Sequence, residues 1–111
     1  MLIYKIFRAP EWDALRADGS TAGAPVDLAD GFIHFSTAAQ ASETAARHFA
    51  DVAGLWLIAV DADALGTDLR WEPSRGGDLF PHLYRPLLVD DVRWAKPLSI
   101  KDGVHQFPEL D

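Results

Sequence analysis

Cysteine is absent from this chain of 111 residues, which excludes a disulfide framework, a thiol nucleophile and a thiolate zinc site. Positive charge is scarce. Ten lysines and arginines stand against 17 aspartates and glutamates, a net charge of −7 with neutral histidines. A surface of that sign repels polyanions, so bulk nucleic acid is not an expected partner. Long apolar runs are missing too: the longest, residues 55–60, is far below the roughly 20 residues that span a bilayer as a helix. The chain opens on Met1-Leu2-Ile3-Tyr4, which reads as a strand and not as a basic, apolar leader. A soluble, cytoplasmic protein with no membrane partner is expected. No repeat, low-complexity tract or long linker interrupts the sequence, and one domain over residues 1–111 is expected. The charge favours solubility and leaves a monomer or a weak dimer open.

What is present suffices for a core. Apolar residues make up 49% of the chain and aromatics 11%, enough to fold without a metal or a cross-link. The charge is uneven. Residues 1–69 hold four bases and ten acids, whereas residues 70–101 hold six bases (Arg70, Arg75, Arg85, Arg93, Lys96 and Lys101) and four acids. Either a local positive site awaits a small anion there, or this is ordinary solvated charge on a hairpin.

Residues 2–7 are rich in β-branched and aromatic side chains, a first strand. Pro10 and Gly19 bracket a short helix in which Trp12 and Leu15, three apart, face the core together. Residues 20–30 are small and polar and read as loop. Gly31-Phe32-Ile33-His34-Phe35-Ser36-Thr37 reads as a strand running into a helix start, with Phe32, His34 and Ser36 sharing one face. Thr37 and Gln40 fit a capping box. The helix that follows is expected to reach about residue 52 or 53, with Gly54 as its stop and Ala41, Ala45, Phe49 and Val52 as its apolar stripe. Residues 55–60 suit a strand buried on both faces, 61–66 a single helical turn, and 69–72 a short strand. Residues 79–87 contain Pro81 and Pro86, which predicts an edge strand or an ordered loop. Residues 89–98 suit a half-exposed strand. Strands outnumber helices, and the class is α+β.

Four histidines are present. His34, just before a capped helix start, would lie beside Ser36, Thr37 and unpaired backbone N–H groups, a setting for phosphate or carboxylate recognition; the plainer reading is a core histidine bonded to a backbone carbonyl. His82, in Phe80-Pro81-His82-Leu83-Tyr84, would wall a planar ligand with Phe80 and Tyr84, or simply point into water. Glu72 lies in an apolar, aromatic segment that would raise its pKa toward acid–base work, while Arg70 on the same face would lower it through an ion pair. His48 is expected to support packing, and His105 has no polar partners nearby in sequence. His34, His82 and Glu72 make a conceivable metal set, but no spacing matches a local metal motif and no metal is expected.

The blocks 31–37, 69–73 and 80–87, with Ile3-Tyr4, resemble a bacterial family, the domain of unknown function 952. The resemblance covers residues 2–98 and leaves 99–111 as a C-terminal extension; it implies no established reaction. A remoter resemblance is to the ADP-ribosyltransferase fold, in its RNA 2′-phosphotransferase branch. That likeness implies a small split β-sheet with two main helices and a ligand cleft. It places His34 where the nicotinamide end of NAD or its equivalent is met, and Glu72 at the position of a carboxylate that stabilises an oxocarbenium-like centre. Lys5 stands where the fold usually has histidine, which favours a non-catalytic binder.

Together these readings predict a cleft lined by His34, Ser36, Thr37, Glu72, Phe80, His82 and Tyr84, with Arg70 or Arg85 meeting an anion. The expected ligand is a small, nucleotide-like molecule, with NAD as a possible cofactor. The activity would be group transfer or hydrolysis, with His34 and Glu72 catalytic. The alternatives are a non-catalytic small-ligand binder and a protein-interaction module using Trp12, Trp94 or residues 80–87. All the small-ligand readings require His34 and the segment around His82 to share one concavity.

Overall fold

The computed structural model describes residues 1–110, apart from the side chain of Arg75. The chain runs through strand β1 (Leu2–Arg8), helix α1 (Ala9–Asp18), strand β2 (Ser20–Thr21), helix α2 (Pro25–Asp30), strand β3 (Ile33–His34) and helix α3 (Ala38–His48). Strands then dominate: β4 (Leu55–Asp61), β5 (Leu69–Pro73), β6 (Leu79–Leu83), β7 (Leu87–Leu88), β8 (Val92–Leu98), β9 (Ile100–Lys101) and β10 (Val104–His105). The class is α+β, with several small sheets. Among the described residues no helix is long and apolar enough to cross a membrane.

The central sheet has the order β1-β4-β8, antiparallel throughout. As its apolar run predicts, β4 lies in the middle, with Leu57, Ile58, Ala59 and Val60 all at 0% exposure. Strand alternation divides its side chains between two cores. Ile58 and Val60 join Ile3, Phe7, Trp12 and Leu15 on one side. Leu55, Leu57 and Ala59 join Tyr4, Ile6, Ala45 and Leu98 on the other, beneath α3.

A second sheet, of order β3-β6-β5, positions the candidate site. Ile33 pairs with Leu83, and Leu83 with Leu69; Ile33 and Leu83 are buried in the first core, with Leu69 packed against it. Because successive strand residues point to opposite faces, the neighbouring row His34–His82–Arg70 is turned away from that core. The two sheets meet where Tyr4 and Ser36 exchange backbone hydrogen bonds of 2.8 Å each.

The structure corrects four local expectations. Residues 20–30 are not a loop but hold β2 and α2. Pro25 begins α2, Asp27 accepts from the Ala24 N–H at 2.7 Å, and Gly31 ends it in the left-handed region at φ 85°. The strand expected over 31–37 has only Ile33–His34 in the ladder, with Ser36 bridged to β1. Helix α3 stops at His48, not near residue 52, since Phe49 and Val52 leave the helix to pack against the second core. Finally, β6 is a central strand despite Pro81. The Pro81 carbonyl accepts from Phe35 N at 3.0 Å, so its nitrogen also faces β3, where the two-residue ladder has ended. The pairing with β5 loses no donor.

Candidate functional site

The outward face of the second sheet gathers Phe32 and His34 from β3 and its approach, His82 and Tyr84 from β6 and just beyond it, and Arg70 and Glu72 from β5. His34 and His82 are direct cross-strand partners, and their rings meet edge-on with centroids 5.3 Å apart. Phe32 lies against both. Its ring stacks on His82 at 4.2 Å and 26°, and its centroid is 4.6 Å from His34 and 5.1 Å from Tyr84. The Arg70 guanidinium lies over the Tyr84 ring at 4.6 Å.

Each imidazole is backed by its own carboxylate. His82 Nδ1 lies 2.9 Å from Glu72 Oε1, and the Tyr84 hydroxyl donates to that same oxygen at 2.6 Å. These two hydrogen bonds hold the Glu72 carboxyl below its ordinary value, with the Arg70 charge a smaller contributor. Of the two expectations for Glu72, the raised pKa is therefore wrong. The lowering is right, but its main cause is Tyr84 and His82, not Arg70. Glu72 in turn raises the Tyr84 phenol.

His34 is held from α2 and not by a backbone carbonyl. Its Nδ1 lies 2.6 Å from Asp27 Oδ1, and its Nε2 lies 2.9 Å from Asp30 Oδ2. Asp27, with its side chain at 0% exposure, is the hub of this half of the site. It accepts from Lys5 Nζ at 2.8 and 3.0 Å, from the backbone N–H of His34 at 3.0 Å and from that of Ala24. Burial alone would raise the Asp27 carboxyl, but the hydrogen bonds from His34 and Lys5 and the Lys5 charge outweigh it and hold the group low. Burial pushes the Lys5 ammonium down against the pull of Asp27. A carboxylate fixed at Nδ1 orients the ring and sets the direction in which Nε2 points.

Of the residues that the sequence singles out, His34, Arg70, Glu72, His82 and Tyr84 come together, Phe80 lies on the same strand face, and Ser36, Thr37 and Arg85 have partners of their own. The Ser36 hydroxyl is buried and bonds Thr44 Oγ1 at 2.8 Å. Thr37 caps α3, its N–H donating to Gln40 Oε1 at 3.0 Å. Phe80 is buried opposite Glu72 in the β5–β6 register. Arg85 makes a two-pronged pair with Asp91 at 2.9 and 3.1 Å. His82 does not point into water but is 4% exposed. His48 is exposed on α3, and His105 bonds the Val52 carbonyl at 2.8 Å. Trp12, offered as an interaction residue, is buried at 7% exposure, and residues 80–83 are buried as well.

Neither of the two cavities seen among the described residues is lined by all of these residues. A depression of about 230 Å³ is bounded by Leu28, Gly31, Phe32, Tyr84, Arg85 and Pro86 and does not include either histidine in its lining. Sequence reasoning missed Asp27, Asp30 and Phe32. The signal was available for α2, because Pro25 and Gly31 bracket it as Pro10 and Gly19 bracket α1. Read that way, Asp27 takes the third helical position, where a carboxylate turns back to the helix start.

Comparison with known proteins agrees with this architecture. The crystal structure of protein CC0527 from Caulobacter crescentus is 57% identical and superimposes with a TM-score of 0.92, covering 96% of this chain and 94% of that one. The solution NMR structure of CC0527 is 57% identical with a TM-score of 0.86, over 95% and 91% of the two chains. No curated protein matches the chain. The model of the family described as protein of unknown function (DUF952) matches residues 6–95. On that match, which spans most of its length, the chain belongs to the DUF952 family.

Proposed function

We propose that the outward face of the second sheet binds a small, nucleotide-like ligand, on a scaffold of the ADP-ribosyltransferase type, and carries group transfer or hydrolysis at a ribose or phosphate. The observation that supports this reading is the His34–His82 cross-strand pair, each ring backed by a separate carboxylate. In this reading His34, oriented by Asp27, moves a proton at its Nε2. Glu72, ionised and with one oxygen engaged by two donors, stabilises positive charge developing on the ligand. Phe32 and Tyr84 supply ring faces for a planar group, and Arg70 meets an anion beside them. The depression next to Phe32 and Tyr84 receives the rest of the ligand.

One observation favours the non-catalytic alternative. Lys5, at the strand position where the fold usually has histidine, is buried against Asp27 and does not reach the outward face. The two readings separate by experiment. Titration with ADP-ribose or NAD should shift the His34, His82 and Tyr84 resonances under both. Catalysis further requires that His34→Ala abolish turnover of the ligand while the protein stays folded. A variant that stays folded and keeps wild-type turnover would rule out the catalytic role, and silence of all three residues at millimolar ligand would end both small-ligand readings.

A further inference from the structure

Asp27 fixes His34 from the protein interior, so Nε2 projects outward in a set direction, and there it meets Asp30 Oδ2 at 2.9 Å. Carboxylate oxygens thus stand at both ring nitrogens. The two carboxylates differ in mobility. Asp27 is enclosed and holds four donors, whereas Asp30 is the last residue of α2, its side chain is 49% exposed, and Gly31 follows it at φ 85°. The Asp30 side chain can leave His34 without disturbing the core. Two residues on, the Phe32 ring lies 4.6 Å from the His34 ring.

We infer that Asp30 is a built-in occupant of the position that the ligand's own oxyanion takes. The ligand then carries a phosphate or carboxylate that displaces Asp30 from His34 Nε2, and a planar ring that lies on Phe32. The inference rests on the ligand-binding reading above and adds to it the chemical class of the ligand. A positioned outward N–H donor suits an oxyanion, and the protein supplies one of its own when the ligand is away.

The test measures the binding of AMP, benzoate and adenosine to the full chain and to Asp30→Asn and Asp30→Ala, followed through the His34 side-chain resonances. Removing a competing, partly exposed charge should tighten AMP or benzoate roughly two- to fivefold and leave adenosine unchanged. Tightening of AMP alone or of benzoate alone identifies the oxyanion as phosphate or carboxylate. Equal affinities in wild type and variants, with His34 still responding, would overturn the displacement and leave the binding site standing. Should no probe move His34 in any of the proteins, this inference fails. ADP-ribose added to the same samples then decides whether the ligand-binding reading fails with it. Dispersed amide spectra verify that both variants fold, as the exposure of Asp30 leads one to expect.

Discussion

Asp27 carries more of the site than any residue the sequence points to. It neutralises a lysine at 6% exposure, orients a histidine and closes the start of its own helix. Replacing it by asparagine leaves Lys5 buried beside a neutral partner, and breaking a buried pair in this way costs about 3–5 kcal/mol; urea unfolding of Asp27→Asn near neutral pH measures it. The pH dependence has a defined sign. The folded-state pKa of Asp27 lies below its unfolded value, so its stabilisation is present above about pH 4 and is lost as pH falls through the folded value. The unfolding curves of wild type and Asp27→Asn should therefore converge in acid, and a constant gap between them would contradict the assignment. His34, Glu72 and Arg70 were legible from residue type and strand parity, and His82 and Tyr84 from their place between two prolines. Asp27 was not, because its importance comes from being enclosed, and enclosure depends on neighbours 22 positions away.

At the scale of elements, the short segment from Gly23 to Gly31 builds half of the site, and its two glycines act differently. Gly31 sits at φ 85° with open space where a Cβ would be. Gly31→Ala therefore pays only for backbone conformation, about 1 kcal/mol. Gly23, at φ 110°, lies so close to Asp27 that an added Cβ would overlap that side chain. Gly23→Ala is expected to cost more than Gly31→Ala in thermal unfolding and to move the His34 resonances as Asp27 is displaced. Equal costs with an unmoved His34 would show that Asp27 yields freely. Helix α2 was readable from its proline and glycine brackets, yet its small, polar composition resembles a loop. For β6, Pro81 argued for an edge. Its central place became evident only from the direction of its carbonyl and from where β3 ends.

On the scale of the whole molecule, β4 separates two cores, and truncating one of its side chains should damage the core which that side chain faces. Ile58→Ala is expected to lose about 2–5 kcal/mol in equilibrium unfolding, since Ile58 is fully buried; a loss below 1 kcal/mol would mean that the first core repacks around the gap. The sequence by itself determined the α+β class, the burial of β4 on both faces, the capped start of α3 and the alternation that puts Phe32 and His34 on one face of their segment. These follow from local periodicity and capping, which act over a few residues. Only the tertiary structure decided that the strands bearing His34 and His82 pair, that Lys5 and His34 converge on Asp27, and that Ser36 and Arg85 bond Thr44 and Asp91. The His34–His82 pairing and the Lys5–Asp27 bond join segments far apart in the chain, and the register that pairs the two histidines is set by the fit of the buried row Ile33–Leu83–Leu69 to the core, not by any property of the outward residues themselves.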